Sequence, residues 1–322
     1  MAVIGQVRRV GDRLLDAWRL IRELDLKGLR ARAERPVKLL VVAPDRTLAE
    51  AVAGVLAAGR PDLAEAFEFW PGAGDGLGAD LALVVVPDPA QWFGLQPTAT
   101  VLRRLLGPER VVVMLVGDQP GLPVADEGFA VVRAERLSPE GLAAALAPAL
   151  VGADPDLAVA VGRRFEALRD PIARALTYQT AWANGEFAFL SNAPAAVPII
   201  GPLLAGGADS LVLTKNQVFL WVRLALLYGR PFETVWPILA ELAPVVGGAF
   251  VWRSVARELV GLLPPVLAAL PKTAIAYSAT VALGMAAENY YRRHPEVRRG
   301  LGRLVGGLRN RRRGAGFQPE PD

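Results

Sequence analysis

The sequence contains no cysteine and a single histidine, His294. The absence of cysteine excludes a disulfide framework, a thiol nucleophile and a cysteine-ligated metal. One histidine in a basic, polar stretch argues against a histidine-based catalytic triad and against a metal site built from several histidines. We therefore expect no metal and no cofactor, and the composition does not favour an enzyme.

Lysine is also scarce, with four lysines against 32 arginines, a bias typical of GC-rich coding that says little about function. The N-terminus lacks the unbroken apolar run of a secretory signal peptide, which indicates a chain that stays on the cytosolic side. The length of 322 residues predicts two domains and a sizeable core.

Residues 1–35 carry apolar side chains at helical spacing among nine basic and five acidic residues. The pattern predicts an amphipathic N-terminal helix. This helix either packs on its own domain or binds a membrane surface or a partner.

Residues 36–152 alternate apolar strands with helices. The predicted strands are residues 37–43, 67–70, 81–86, 110–116 and 129–132. The predicted helices are residues 48–56, 97–106 and 139–149. Unbroken apolar strands between helices are typical of a parallel sheet covered on both faces, so we expect an α/β domain of about five strands.

The helical region is predicted to cover residues 153–292, with a connecting helix at residues 155–180. Residues 187–208 are uncharged, but prolines recur every four residues, which favours two short broken helices over one membrane span. Residues 273–287 are uncharged as well, although they are too few for a span. A helical bundle is the first interpretation, and a membrane-embedded or re-entrant hairpin is the second.

The tail at residues 293–322 is rich in arginine, and residues 292–313 carry nine arginines against one acidic residue, Glu296. It is either a solvated end or a segment that binds anionic lipid or nucleic acid. No aromatic residues that could stack on bases are interleaved, so we rank lipid above nucleic acid.

One helix of the helical region at residues 153–292 has clear signals at both of its ends. Asp209 or Ser210 can cap its N-terminus, and Gly229 followed by Pro231 can end it. The residues between these ends are apolar nearly all round, which is typical of a helix buried in a core or in a membrane.

Four consecutive polar residues interrupt this apolar helix, namely Thr214, Lys215, Asn216 and Gln217. Burying them is costly unless each finds a partner, so they form either a structural polar contact or a binding site. Lys272 and Tyr277 on a later helix are candidates to face them and complete a polar site. Glu241 or Glu258 could neutralise a buried lysine.

Three groups of residues follow one another along the helical region. They are Ala208-Asp209 with residues 214–217 and Tyr228-Gly229; residues 244–250 with Arg253 and Ala256-Arg257; and Pro264 with Pro271-Lys272, Ala276-Tyr277, Thr280 and Gly284. Together they resemble the YcjF-like domain of unknown function found in bacteria, often C-terminal to a GTPase domain. The resemblance implies a helical, often membrane-associated domain, and it supplies no catalytic residues.

The segment before the first strand, Asp25-Leu26 with Leu29-Arg30 and residues 33–36, resembles the start of the GTPase domain in such relatives. A phosphate-binding loop then needs G-x-x-x-x-G-K-[ST], because the glycines let the backbone wrap the phosphates and the lysine meets them. The loop at residues 43–47 has neither glycine nor lysine.

The remnants of the nucleotide motifs are few. Asp45 lies where phosphate would bind, and only Thr47 could stand for the motif's hydroxyl. The D-x-x-G motif would fall at residues 69–72 without its aspartate, and the base-reading N-K-x-D motif keeps only Asp118. Asp118 either reads a guanine edge or caps a turn. We interpret the domain as a pseudo-GTPase, a GTPase-like parallel sheet with a vestigial pocket at Thr47 and Asp118.

These observations predict a non-enzymatic scaffold or regulator. Its partner would be a protein, such as a true GTPase, or a second copy of the chain, and its apolar helices and basic tail would contact an anionic membrane surface. The alternatives are a nucleotide-binding switch, which would need Thr47, Asp88 or Asp118, and an integral membrane protein with a helical hairpin. We expect a cytoplasmic location, peripheral or integral at the inner face of the cell membrane.

Overall fold

The computed structural model describes residues 25–70, 78–117, 128–190, 208–230, 237–238 and 265–294, and the fold is given for these ranges. Most of the predicted N-terminal helix and basic tail lies outside them. The proline-rich segment at 191–207 and the apolar segment at 239–264 lie outside them as well.

Five parallel strands form a single sheet. They are β1 (Leu39–Val42), β2 (Phe67–Trp70), β3 (Leu81–Val86), β4 (Val111–Val116) and β5 (Ala130–Ala134). Their spatial order is β2-β1-β3-β4-β5, and every neighbouring pair is parallel. This is one of the common doubly wound orders, and the predicted parallel α/β sheet is confirmed.

The central strands are apolar throughout because both faces of the sheet are covered. In β1, Leu39 and Val41 point to one buried cluster, while Leu40 and Val42 point to the other, as the two-residue period of a strand requires. The register places Leu39 opposite Leu81 of β3. The alternation divides the core into two layers.

Helices before and between the strands cover these two faces. They are α1 (Leu26–Glu34), α2 (Arg46–Ala57), α3 (Pro89–Leu106) and α4 (Pro139–Ala153). Helix α3 supplies Trp92, Leu95, Ala99 and Leu102 to one face, whereas α2 and α4 pack on the other. Short 3₁₀ helices, Pro61–Ala66 and Pro108–Arg110, precede β2 and β4.

Helix α3 begins eight residues before its predicted start at residue 97. The Asp88 carboxylate accepts a hydrogen bond of 2.9 Å from the Ala90 amide, and Pro89 follows at the first helical position, where proline needs no N–H donor. Pro97 lies inside the helix instead of at its beginning.

Four further helices form the C-terminal half of the described chain. They are α5 (Pro155–Arg164), α6 (Glu166–Leu190), α7 (Ala208–Leu227) and α8 (Pro265–Arg293). Helix α6 packs extensively on α8 and contacts α4, α5 and α7. None of the helices within the described ranges is long and apolar enough to cross a membrane.

The predicted connecting helix is in fact two helices, and Phe165 separates them. Phe165 leaves the helical conformation, with φ −100° and ψ 102°, and its buried ring lies 5.2 Å from that of Phe67. The packing of this ring compensates for the helical backbone hydrogen bonding that is lost at the break. No glycine or proline stands at this position to mark the break in the sequence.

Helix α7 begins at Ala208, so Asp209 and Ser210 lie in its first turn, and the predicted cap at either residue stays a prediction because their side chains are not among those described. The predicted C-terminal signal is correct. Gly229 has φ +73°, its amide donates to the Leu226 carbonyl, and the Arg230 amide donates to the Ala225 carbonyl. These two bonds form a Schellman motif.

One continuous buried cluster runs from the sheet into the helical half. No linker separates α4 from α5, because Asp154 ends one helix and caps the next by accepting hydrogen bonds from the Asp156 and Leu157 amides. The predicted domain boundary at residues 152 and 153 therefore falls inside a shared core, and the division into domains stays a prediction.

Candidate functional site

The carboxyl edge of the parallel sheet is the first place to look for a site, because ligands of doubly wound folds bind there. At the end of β1, the Asp45 carboxylate accepts a hydrogen bond of 2.9 Å from the Leu48 amide and caps α2. Thr47 is exposed in the first turn of this helix. The helix N-terminus that would receive a phosphate thus carries a carboxylate of its own.

The same edge has two more capped helices. Asp88 caps α3 after β3, and the Ser138 hydroxyl accepts from the Gly141 amide, 3.1 Å away, to cap α4 after β5. Asp118, the other residue of the predicted vestigial pocket, lies outside the described residues. The structure therefore gives a position for Thr47 but does not test the pair.

The polar block of α7 meets α6 and α8 in a buried hydrogen-bond network. The side-chain Nδ2 of Asn216 donates to Asn184 Oδ1 over 2.8 Å, and Asn184 Nδ2 donates to Thr280 Oγ1 over 3.0 Å. Gln217 Nε2 makes a longer contact of 3.5 Å with the same hydroxyl. Asn184 and Thr280 are fully buried, and Gln217 is nearly so.

The direction of these bonds follows from the Thr280 hydroxyl. It donates to the Ala276 carbonyl of its own helix over 2.8 Å, so towards Asn184 it can only accept. Asn184 must then turn its Nδ2 to Thr280 and its Oδ1 to Asn216. A single asparagine in the middle of α6 thereby links three helices.

The other residues of the predicted polar site lie elsewhere. Lys215 is exposed, and no acidic side chain among the described residues pairs with it, so it is not the buried lysine considered from the sequence. Thr214 is half-buried. The side chains of Lys272, Glu241 and Glu258 are not among those described.

Tyr277 lines a cavity of ≈ 480 Å³ between α6 and α8, one helical turn from Thr280. Trp182, Gly185 and Phe189 of α6 line the opposite wall, and Glu186 is the one charged residue among the described residues of the lining. Trp182 is 70% exposed and Phe189 46%. The predicted site is therefore divided, with Asn216 and Gln217 in the network and Tyr277 in the cavity wall.

Sequence analysis missed Asn184, Trp182 and Phe189. A signal for the aromatic residues was present, because Tyr178, Trp182 and Phe189 recur at helical spacing on one face of α6. Asn184 carried no such signal, since asparagine is mostly exposed in proteins and nothing around this one marks it as buried.

A second polar cluster joins the same three helices nearer the C-terminal end of α8. The Tyr228 hydroxyl donates to Asp170 Oδ1 over 2.6 Å, and burial, followed by this hydrogen bond, raises the pKa of Tyr228. Burial also raises the pKa of Glu288, against the opposing effects of Arg174 and Arg292. Arg174 Nε lies 3.5 Å from Glu288 Oε1, and Arg292 Nη2 lies 3.1 Å from the same oxygen.

Within the described ranges, no group of three or more histidine, aspartate or glutamate residues could hold a metal ion.

No family model matches this chain, and no curated protein or solved structure matches it either. The resemblances to a YcjF-like domain and to a GTPase domain therefore stay predictions.

Proposed function

We propose that this protein is a non-enzymatic scaffold or regulator, in which a pseudo-GTPase domain is joined to a helical region that binds a partner. The observation that carries the proposal is the Asp45 carboxylate at the N-terminus of α2, directly after β1. A phosphate charge placed about 4 Å from it would be repelled by about 4 kcal/mol at an effective dielectric constant of about 20. No lysine or glycine of that loop offsets this repulsion.

The sheet order supports the same interpretation. In a doubly wound sheet the ligand crevice opens where the strand order reverses, which here is between β1 and β3. The helices that follow these two strands are capped by Asp45 and Asp88. The crevice is thus bordered by two carboxylates, which disfavours a nucleotide. Asp88 could serve a nucleotide-binding switch only by giving up its hydrogen bond with the Ala90 amide at the start of α3.

The aromatic face of α6 supports the partner-binding part of the proposal. Tyr178, Trp182 and Phe189 expose large apolar side chains on one side of the helix, and such clustered exposure is typical of protein interaction sites. Glu186 lies on the same face, and its charge favours a protein segment with apolar and basic residues over an anionic membrane.

Calorimetric titration with GTP and with ATP, each with and without Mg²⁺, tests the pseudo-GTPase part. We expect no binding in the micromolar range, whereas a functional GTPase titrated under the same conditions must bind. Micromolar affinity for either nucleotide would overturn the proposal.

Capture of crosslinked partners from native cells tests the helical part. We expect Trp182→Ala to lose the captured protein and Phe93→Ala to keep it. Phe93, on α3, is a matched control because it is also 70% exposed and lies on the other side of the sheet. Equal capture by both variants would show that the α6 face is not the binding surface.

A further inference from the structure

A polar cavity of ≈ 330 Å³ lies at the amino edge of the sheet, opposite the edge discussed above. It is enclosed by the end of α1, the 3₁₀ turn before β2 and the end of α5. The charged residues that line it are Arg35, Arg60, Arg163, Arg164, Glu34 and Asp62. Four guanidinium groups therefore face two carboxylates, an excess of two positive charges.

The ion pairs of the cavity compensate this excess only in part. Arg35 Nη1 lies 3.3 Å from Asp80 Oδ1, a carboxylate that does not line the cavity. Arg60 is satisfied by Asp62, with Nη2 2.6 Å from Oδ2. Glu34 is shared, since its Oε1 lies 3.0 Å from Arg30 Nε and 3.5 Å from Arg163 Nη2. One carboxylate thus serves two guanidinium groups.

Arg164 has no such partner. No carboxylate of the described residues lies within ion-pair distance of it, and its Nε is buried without a hydrogen bond. Its field still reaches Asp62, whose pKa is lowered first by the hydrogen bond from Arg60 and more weakly by Arg164. Ion pairs account for Arg60 and Arg35, for Arg163 only in part, and not for Arg164.

The positive charge of Arg163 is compensated only in part, because this residue shares the Glu34 carboxylate with Arg30. Its Nη1 donates to the Leu226 carbonyl over 2.9 Å, so the side chain is held in place at the contact between α5 and α7. Burial lowers the pKa of Arg163, Arg30 and Arg169 act in the same direction, and Glu34 opposes them. Since arginine keeps its proton at any physiological pH, the positive charge of this side chain persists, and a bound anion would compensate it.

We propose that this cavity binds the dianionic phosphate group of a small phosphate monoester. The guanidinium groups come from three separate elements and surround one space, and guanidinium recognises phosphate oxygens through paired N–H donors. Arg164, which has no ion-pair partner among the described residues, and Arg163, which shares Glu34 with Arg30, are the two guanidinium groups left to bind a dianion. The site is independent of the proposed pseudo-GTPase crevice, because it uses the opposite edge of the sheet and neither a glycine loop nor a helix N-terminus.

Calorimetric titration of the full chain with phenyl phosphate, at fixed ionic strength and with phenol as the neutral analogue, tests the site. We expect phenyl phosphate to bind and phenol not to bind. Arg164→Gln removes one guanidinium without breaking an ion pair, and we expect it to weaken binding about tenfold or more.

Arg104→Gln is the matched control, because Arg104 is exposed near the end of α3 and its loss changes the net charge equally. We expect this variant to bind like the wild type. Arg35→Gln, on a different element, is the second variant, and we expect it also to weaken binding should Arg164→Gln fail to fold. Absence of wild-type binding up to about 10 mM, or equal affinity in the cavity variants and the control, would overturn the proposal.

Discussion

Replacing Asn184 by alanine tests the network that holds α6, α7 and α8 together. The substitution removes the hydrogen bonds of 2.8 Å to Asn216 and 3.0 Å to Thr280 from a fully buried position. Each lost bond costs about 1 kcal/mol, and the partners left without it inside the protein add a desolvation penalty. We expect a total destabilisation of about 2–4 kcal/mol.

The control for this substitution is Asn289→Ala on α8. Asn289 is exposed and its side chain only accepts a bond of 3.3 Å from Arg292, so we expect a change within about 0.5 kcal/mol. Both variants gain the same helix propensity from alanine, so the difference between them isolates the network. Urea denaturation measures it as a shift of the midpoint at constant slope.

A double-mutant cycle with Thr280→Val separates the hydrogen bond from general packing. Valine keeps the shape of Thr280 but removes its hydroxyl, so Asn184 and Thr280 should show a coupling energy of about 0.5 kcal/mol or more. The reasoning is refuted if Asn184→Ala is as stable as Asn289→Ala, or if the coupling energy is zero.

Two further predictions concern α8. A Cβ at Gly284 would lie 2.9 Å from Thr177 Cβ, so Gly284→Ala should destabilise the protein by about 1–3 kcal/mol. The control is Gly54→Ala in α2, where an added Cβ has no atom within 4 Å, and this substitution should stabilise the protein by about 0.5–1 kcal/mol. Thermal denaturation decides, and equal stabilisation of both variants would contradict the close packing of α6 and α8. Burial raises the pKa of Glu288 in the folded protein above its ordinary value of 4.5. The protonated Glu288 side chain therefore contributes stability below pH 4.5, and this contribution is lost as the pH rises through the pKa that Glu288 has in the folded protein. Glu288→Gln should therefore gain stability relative to the wild type in urea denaturation as the pH rises above 4.5, and a difference that stays constant with pH would count against this.

The sheet was predictable because its signals are local. Runs of valine and leucine between helices identified β1, β3 and β4, shorter apolar or aromatic runs identified β2 and β5, and each predicted strand overlaps the observed one. The end of α7 was predictable for the same reason, since Gly229 alone supplies the left-handed conformation that its capping bonds need. Phe165 was not predictable, because its ring finds a partner in Phe67, about a hundred residues earlier.

The candidate site divides in the same way. The polar block of α7 was visible as a departure from an apolar helix, but its partners were not. Asn184 is 32 residues from Asn216 and 96 from Thr280, so only the packing of α6, α7 and α8 brings them together. The same packing leaves Lys215 exposed while Gln217, two positions later, is buried.

By itself, the sequence determined the composition of the sheet, the capping glycine of α7 and the absence of a phosphate-binding motif at residues 43–47, since each depends on neighbouring residues alone. The tertiary structure decided which polar groups meet. It placed Asp45 on the N-terminus of α2, joined Asn184 to two other helices and gathered four arginines around one cavity. The physical reason is that backbone conformation is largely a local property, whereas the electrostatic environment of a side chain depends on segments that are distant in the chain.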